Sequence, residues 1–382
     1  MTSAWESDVV ECKLCDHCEY RAERGKATCC GKCSADSGGS DESHEEAHCP
    51  RLSRQVLQQC RWEHFRCDLG AEKEAVCLVV PPRCPVAGPA PVLLFLTGNG
   101  HVDDRQDFLN GGVDQLIRNV ELNQYVLLAP KPETKSGVLR YNDNWRNAWC
   151  EDAIWALVTE MLRRLGPTHV DPGRLFATGL SLGAIGVWHL ALRYGEYLAG
   201  IVPVSGKCEW PFNSWPRRAG PDPAVLQRME RLPMRCYQID ADRYGGTPVH
   251  DIEWLCWKLP ESKTEVTLRG MEPDRQVQLT IRTWERPHGA NWALWEAKGP
   301  LQDHAYYDEW GGDKHCLWNR AYPFPEWGMP AFLASHSVPS ERCWKLDTPI
   351  PVIDSSQGKE DAMDVDQVGN QGEPSLSRMF EW

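Results

Sequence analysis

A single serine between two glycines limits most tightly how this chain can fold. Residues 175–186 read LFATGLSLGAIG, in which a short apolar run ends at Gly179 and small residues follow Gly183. The run is typical of a buried strand, and the small residues predict a helix that packs closely against its neighbours. The five residues from Gly179 to Gly183 fit G-x-S-x-G, a sharp turn from strand to helix that exposes the hydroxyl of Ser181.

The predicted turn makes Ser181 a candidate nucleophile. Bulky side chains two residues before or after the serine would clash in this turn, so glycine occupies both positions. The following helix directs its unpaired N–H groups at the serine, which makes the N–H of Leu182 a candidate oxyanion donor. The alternative is an ordinary strand-to-helix turn with a serine near the helix start. The strand and the helix on either side favour the nucleophile.

Apolar runs that alternate with helical periodicity predict an α/β fold. Continuous apolar runs predict strands at 92–96, 125–129, 175–178, 201–204 and 235–239, and we expect Pro130 to end the second of them. Helical spacing of apolar residues predicts one helix within 148–166 and another over about 184–194. This alternation is typical of a mostly parallel sheet with helices on both faces, whose chemistry lies at the carboxyl ends of the strands.

Composition divides the chain into three zones. Residues 1–50 are acidic and rich in cysteine, with few large aliphatic side chains, and we expect them to be disordered. Residues 52–345 carry the hydrophobic pattern of the folded domain. They include a Trp-rich insertion around 265–312, which we expect to add strands or a lid. Residues 354–382 form a polar tail that we also expect to be disordered.

Charge and hydropathy exclude two classes of partner. A formal net charge of -13 repels phosphate backbones, so we expect no nucleic-acid partner. The sequence has no run of about 18 consecutive apolar residues, so we expect no membrane span. The first residues, MTSAWESDVVECK, lack the basic start and apolar run of a secretory signal. We therefore expect a cytoplasmic protein in which most of the 17 cysteines are reduced.

The first zone contains a cysteine cluster that fits two interpretations. Cys12 and Cys15 form one C-x-x-C pair, and Cys30 and Cys33 form another. The residues between the pairs are slightly fewer than the about 15 to 20 of a zinc ribbon. Four thiolates could close a tetrahedral zinc site, or the segment could be a reduced, unstructured tail. The sequence does not decide whether this cluster binds a metal. Nucleophilic catalysis by Ser181 requires no metal.

A serine hydroxyl needs a base, and the base needs a carboxylate that orients it. The strand-to-helix turn at Gly179–Gly183 is called the elbow. In chains with such an elbow, the acid and then the histidine follow the serine along the sequence. The predicted strand 235–239 runs into Asp240 and Asp242, and the residues alone do not separate these two acids. Among the later histidines, His315 lies in a glycine-containing loop followed by aromatic residues. We take His315 as the candidate base and expect surface or packing roles for the others.

Three segments resemble the α/β-hydrolase carboxylesterases, a group that includes polyhydroxybutyrate depolymerases, feruloyl esterases and phospholipase/carboxylesterase-like proteins. Residues 169–206 are similar to an elbow block that reads VDPDRIYLTGLSMGGYGTW and, further on, FAAIVPVCG. Residues 91–109 are similar to a strand and oxyanion loop that read PLVLFLHGAGE, and residues 314–322 are similar to GHDSWTRAY. The resemblance covers roughly residues 56–332 and implies an α/β-hydrolase fold without a cofactor.

The resemblance also implies a role for each candidate of the triad. It makes Ser181 the nucleophile and His315 the base. The HGxxD pattern of the group falls on residues 238–242, which selects Asp242 rather than Asp240 as the acid.

By the same resemblance, the oxyanion donors are the backbone N–H of Leu182 and that of Asn99, which lies in the loop Gly98-Asn99-Gly100. The chain departs from the pattern at Thr97, where the group has a histidine. Further departures are Ala184, Lys314 and Cys316, and the HG before the acid is missing.

The implied activity is that of a serine hydrolase that cleaves carboxylic esters through an acyl-enzyme. The implied substrate is a small-molecule or acylated-carbohydrate ester. Tryptophans on loops at the carboxyl ends of the strands could stack on its acyl group or sugar ring, and packing in the interior is the alternative for each of them. These tryptophans are Trp210, Trp215, Trp284, Trp292, Trp295, Trp310 and Trp318. Two alternatives remain open at this point. The same triad could cleave peptides or thioesters, or the chain could be an inactive hydrolase-fold binding protein, which Thr97 and the altered loops would favour. The oligomeric state does not follow from the sequence.

Overall fold

In the part of the chain that the computed structural model describes, ten strands form one sheet. The described residues are 60–68, 72–98, 112–131, 149–206, 229, 231–239, 263–269, 278–285, 290–298 and 317–345. The strands are β1 (Arg61–Asp68), β2 (Glu72–Val80), β3 (Ala90–Leu96), β4 (Val126–Lys131), β5 (Val170–Leu180), β6 (Gly200–Val204), β7 (Met234–Ile239), β8 (Lys263–Arg269), β9 (Gln278–Glu285) and β10 (Asn291–Lys298). Their order in space is β1-β2-β4-β3-β5-β6-β7-β10-β9-β8.

The centre of the sheet is parallel and both of its margins are antiparallel. Strands β4, β3, β5, β6, β7 and β10 are neighbours that run in one direction. Strands β1 and β2 at one margin pair antiparallel, and so do β9 and β8 at the other. The predicted mostly parallel sheet is therefore confirmed. The carboxyl ends of its six central strands meet at one edge, which is called the catalytic edge below.

Helices cover both faces of this sheet. They are α1 (Asp114–Arg118), α2 (Glu151–Leu165), α3 (Leu182–Tyr194), α4 (Trp318–Ala321) and α5 (Met329–Ala334), with short 3-10 turns at Val120–Leu122, Gly195–Tyr197 and Pro325–Trp327. Side chains of a strand alternate between the faces. Leu94 of β3 lies in the core that contains α2 and α3, whereas Leu93 and Phe95 lie in the core that contains α1, α4 and α5. The prediction of helices on both faces is confirmed.

The five strands predicted from apolar runs correspond to β3, β4, β5, β6 and β7, and the two predicted helices correspond to α2 and α3. The prediction that Pro130 ends its strand is wrong, because β4 continues to Lys131. Beyond Leu128, β4 pairs with β2 and its ladder with β3 has ended. The missing N–H of Pro130 therefore removes no hydrogen bond from the centre of the sheet.

The predicted Trp-rich insertion around 265–312 contributes strands to the sheet. Strand β10 lies parallel to β7, and the β8–β9 hairpin extends the sheet beyond β10. Residues 299–316 lie outside the described residues, as do the two terminal zones 1–50 and 354–382 and the cysteine cluster. Among the helices of the described ranges, none has the length and apolarity that a membrane crossing requires.

Two leucines on strands of the same sheet test this account of the core. Leu94 in the centre of β3 is fully buried, whereas Leu268 on the margin strand β8 is 37% exposed. We expect Leu94→Ala to lower the free energy of unfolding by about 2–5 kcal/mol, since it leaves a cavity between packed layers. Leu268→Ala should cost about 1 kcal/mol or less. Urea denaturation of both variants measures the difference, and equal losses would contradict the described burial.

Candidate active site

The chain turns sharply at Ser181, between the end of β5 and the start of α3. Ser181 has φ 53° and ψ −119°, a conformation that side-chain-bearing residues rarely adopt. Its backbone N–H donates to the carbonyl of Val204 on β6 at 3.0 Å. Its own carbonyl accepts from the N–H groups of Ala184 and Ile185 in the first turn of α3. The predicted strand-to-helix turn is therefore present, with its serine held in a strained backbone conformation.

Close contacts explain the two glycines of the turn. A Cβ atom at Gly183 would lie 1.9 Å from the carbonyl oxygen of Leu96, at the end of β3. A Cβ atom at Gly179 would lie 2.6 Å from the backbone of Gly183 and 2.8 Å from the same Leu96 oxygen. All three distances are below a van der Waals contact, so a side chain at either glycine would push α3 away from β3.

The end of β3 reaches the elbow from the other side. A Cβ atom at Gly98 would lie 3.4 Å from the Cβ of Ser181 and 2.7 Å from Cδ1 of Leu180. Gly98 is the first residue of the predicted oxyanion loop, and Asn99, which follows it directly, lies outside the described residues. Leu182 is the first residue of α3, where a backbone N–H has no acceptor within its own helix. The structure therefore brings Ser181, Leu182 and Gly98 together.

A buried tryptophan that the sequence analysis did not single out contacts both sides of the elbow. Trp149, just before α2, is fully buried, and its indole N–H donates to the carbonyl oxygen of Thr97 at 3.1 Å. A Cβ atom at Gly186 of α3 would lie 2.7–2.9 Å from the Trp149 side chain. Thr97 itself is fully buried. No local pattern could have revealed Trp149, because Thr97 is 52 positions away in the sequence.

The candidate acids follow β7, which lies two strands from the elbow strand. Val204 of β6 is paired with Tyr237 of β7, and β7 ends at Ile239. Neighbouring strands lie about 4.8 Å apart, so the chain leaves β7 roughly 10 Å from β5 at the catalytic edge. Asp240 and Asp242 come one and three positions later and lie outside the described residues.

The segment after the candidate base is fixed to the elbow strand. His315 lies outside the described residues, and the description resumes at the buried Leu317. The hydroxyl of Thr178 on β5 donates to the carbonyl of Val202 at 2.6 Å. The Tyr322 hydroxyl lies 3.1 Å from that of Thr178, and it is the donor because the Thr178 proton is already engaged. Burial raises the pKa of Tyr322 well above its ordinary value, so this donor stays protonated.

Strand β7 holds the same segment further along. The Tyr237 hydroxyl donates to the carbonyl of Trp327. The Arg235 guanidinium lies 4.8 Å from the ring of Trp295 and 5.2 Å from the ring of Phe332. Strand β5, which ends at the candidate nucleophile, and strand β7, which leads to the candidate acids, therefore both anchor the chain that follows His315.

The chain just before α1 contacts the elbow, and α1 begins with a buried carboxylate. A Cβ atom at Gly112 would lie 2.7 Å from Cδ2 of Leu180, so the chain before α1 contacts the residue that precedes Ser181. Asp114 begins α1, and burial raises its pKa to about 6 although Arg118, at 3.5 Å, opposes this shift. The sequence analysis did not single out Asp114, because an acid at a helix start is common.

A second strained serine lies beside the elbow. Ser205, directly after β6, has φ 52° and is, with Ser181, one of two non-glycine residues with positive φ in the described ranges. Its side-chain oxygen is buried without a hydrogen-bond partner. Gly206 follows it, and a Cβ atom there would lie 2.7 Å from the Ser181 carbonyl oxygen. The carboxyl end of β6 therefore packs directly against the backbone of the elbow.

The tryptophans of the insertion that the structure describes pack in the interior. Their exposed fractions are 5% for Trp284, 1% for Trp292 and 8% for Trp295, and Trp318 just beyond the insertion is 7% exposed. The indole N–H of Trp292 donates to the carbonyl of Leu232 at 2.8 Å, at the sheet edge opposite the catalytic edge. These four side chains serve packing rather than substrate stacking. Trp210, Trp215 and Trp310 lie outside the described residues.

Solved structures with the same architecture are known. No protein-family model matches this chain, and no curated protein does. A thermostable esterase is similar with a TM-score of 0.51 and 18% identity over 74% of this chain, and the match spans 64% of the esterase. An S-formylglutathione hydrolase from Agrobacterium tumefaciens has a TM-score of 0.42, 16% identity and coverages of 75% and 95%.

A third solved structure, the fluorophosphonate-binding serine hydrolase FphF from Staphylococcus aureus, has a TM-score of 0.41, 13% identity and coverages of 65% and 94%. At these identities the likeness concerns architecture alone. The likeness to the thermostable esterase and the strand order together confirm the predicted α/β-hydrolase fold.

The strain at Ser181 can be measured by substitution. Because glycine adopts this conformation readily, Ser181→Gly should relieve strain of about 1–3 kcal/mol and lose about 0.5–1 kcal/mol to chain entropy. We therefore expect Ser181→Gly to be more stable than Ser181→Ala by about 1 kcal/mol in urea denaturation. The control is Ala191→Gly inside α3, where ordinary helical backbone and the loss of a buried methyl group should make glycine destabilising by about 1 kcal/mol or more. Glycine that destabilises at both positions would contradict the strained turn.

Proposed function

We propose that this chain is a serine hydrolase that cleaves carboxylic esters through an acyl-enzyme. The observation that carries the proposal is the strained backbone of Ser181 at the end of a central strand, with φ 53° and ψ −119°. Strain of about 1–3 kcal/mol persists only where the surrounding structure enforces it. A G-x-S-x-G turn of this kind exposes the serine hydroxyl at the carboxyl end of its strand, which is the requirement of a nucleophile.

In the proposed mechanism, the Ser181 hydroxyl attacks the ester carbonyl while His315 takes its proton. The resulting tetrahedral oxyanion accepts hydrogen bonds from the backbone N–H groups of Leu182 and Asn99. His315 then returns the proton to the leaving alcohol, and Asp242 keeps the imidazole in the correct tautomer. Water, activated by His315 in the same way, releases the acid and restores Ser181. Loss of one oxyanion donor typically raises the barrier by about 2.7–4 kcal/mol.

The anchoring of the segment after His315 supports this assignment of the base. Tyr322 is bound to Thr178, only three residues before Ser181, and Tyr237 of the acid strand binds the same segment at Trp327. A histidine a few residues upstream of such an anchor can reach the elbow. Strand β7, which the candidate acids follow in the sequence, ends at the same edge of the sheet as β5.

The proposed substrate is a small-molecule or acylated-carbohydrate ester. An ester substrate agrees with the name of the thermostable esterase that shares the fold. A matched panel of one acyl group presented as oxygen ester, thioester and amide would order these substrates by kcat/KM. Preference for the oxygen ester supports the proposal, and preference for the amide or thioester would replace it with the corresponding hydrolase.

A fluorophosphonate probe tests the nucleophile directly, because it forms a covalent bond with an activated serine. We expect the wild-type chain to be labelled and Ser181→Ala to lose the label entirely. The matched control is Ser205→Ala, which alters the other serine with positive φ beside the elbow and should retain labelling. Absence of labelling in folded wild-type protein would favour a hydrolase-fold binding protein instead.

The two candidate acids are separated by a pair of amide substitutions. We expect Asp242→Asn to lower kcat on the order of 10³-fold or more, because the neutral amide stabilises the wrong tautomer of the base. Asp240→Asn should leave kcat within about threefold of wild type, as expected for a residue outside the triad. Steady-state kinetics on one ester decides the question, and the reverse outcome would assign the acid to Asp240.

A further inference from the structure

Trp149 connects the two halves of the candidate site. Its ring lies against Gly186 of α3, five residues after Ser181, where a Cβ atom would be 2.7–2.9 Å from the Trp149 side chain. Its indole N–H donates to the carbonyl oxygen of Thr97, one residue beyond the end of β3. One fully buried side chain thus contacts the helix of the nucleophile and the strand that leads into the predicted oxyanion loop.

The hydrogen bond acts on a peptide group beside the nucleophile. The carbonyl of Thr97 and the N–H of Gly98 belong to one planar peptide unit, so fixing the carbonyl oxygen also fixes the direction of that N–H. The same unit touches the elbow, since a Cβ atom at Gly183 would lie 2.6 Å from the Thr97 oxygen. A Cβ atom at Gly98 would lie 3.4 Å from the Cβ of Ser181. The orientation of this peptide therefore sets the direction in which the chain enters the oxyanion loop.

We infer that Trp149 is a positioning residue that orients the oxyanion loop through the Thr97–Gly98 peptide. This inference rests on the proposed serine hydrolase activity. Trp149 does not need to touch substrate in order to act. Loss of its N–H removes one constraint on the Thr97 carbonyl, and a change in the orientation of this peptide changes the direction in which the chain continues from Gly98 toward the predicted oxyanion donor. The cost falls on the transition state rather than on substrate binding.

The test removes the N–H and retains a ring. We expect Trp149→Phe to lower kcat on the order of 10- to 100-fold while KM stays within about threefold. A trifluoromethyl ketone, whose adduct with the serine places an oxyanion in the hole, should lose affinity by the same factor as kcat/KM. This parallel loss is a readout that general destabilisation of the fold would not produce.

Trp292→Phe is the matched control. Trp292 is also buried, and its indole N–H also donates to a backbone carbonyl, that of Leu232, but at the opposite edge of the sheet. It should lower the midpoint of thermal unfolding as Trp149→Phe does, and it should leave kcat and the ketone affinity unchanged. If the two variants lose kcat equally, or if KM and not kcat changes in Trp149→Phe, the inference is wrong.

A second variant covers the case in which Trp149→Phe does not fold. Site-specific incorporation of 3-benzothienylalanine at position 149 replaces the indole N–H by sulfur and keeps the shape of the ring. Loss of kcat and of ketone affinity in this isostere supports the inference, and wild-type values overturn it. Wild-type hydrolysis and fluorophosphonate labelling are measured first, so a failure of the proposed function is distinguished from a failure of the role of Trp149.

Discussion

The contact between Gly183 and the carbonyl oxygen of Leu96 is the constraint on which the candidate site depends. A single Cβ atom at Gly183 would lie 1.9 Å from that oxygen, so α3 can begin against the end of β3 only because the side chain is absent. Ser181 lies two residues before this contact and Gly98 two residues after it. The contact therefore brings the end of β3, which leads into the predicted oxyanion loop, against the turn of the candidate nucleophile, and a larger residue would separate them.

The rest of the fold holds this point in place against an unfavourable backbone conformation. Burial of α2 and α3 against one face of the sheet, and of α1, α4 and α5 against the other, provides the favourable free energy. Two hydrogen bonds fix the elbow to this packed framework. The backbone N–H of Ser181 donates to Val204, and the indole N–H of Trp149 donates to Thr97. The strained backbone conformation of Ser181 persists because the neighbouring elements β3, β6 and α3 are all held in place.

Sequence reasoning found the parts of the molecule that depend on local pattern. The strands β3 to β7 are buried on both faces and therefore read as continuous apolar runs, and the elbow has a pattern of its own. It did not locate β1, β2, β8, β9 or β10 individually. Residues 264–269 of β8, for example, are all exposed, so no buried apolar run marks this strand. It also stopped β4 at Pro130, because it could not know which neighbour the strand pairs with there. The role of Trp149 depends on contacts with two other elements, which no local window contains.

The bond between Thr178 and Tyr322 has a consequence for how the protein is made. These residues are 144 positions apart, so the elbow strand meets its anchor only after almost the whole folded region has left the ribosome. Pairings this distant along the chain carry a high loop-closure cost and form late in folding. Nascent chains would thus expose the parallel strands before the final helices cover them, a stage at which chaperones bind. The candidate site around Ser181 is accordingly among the last features to be completed during synthesis.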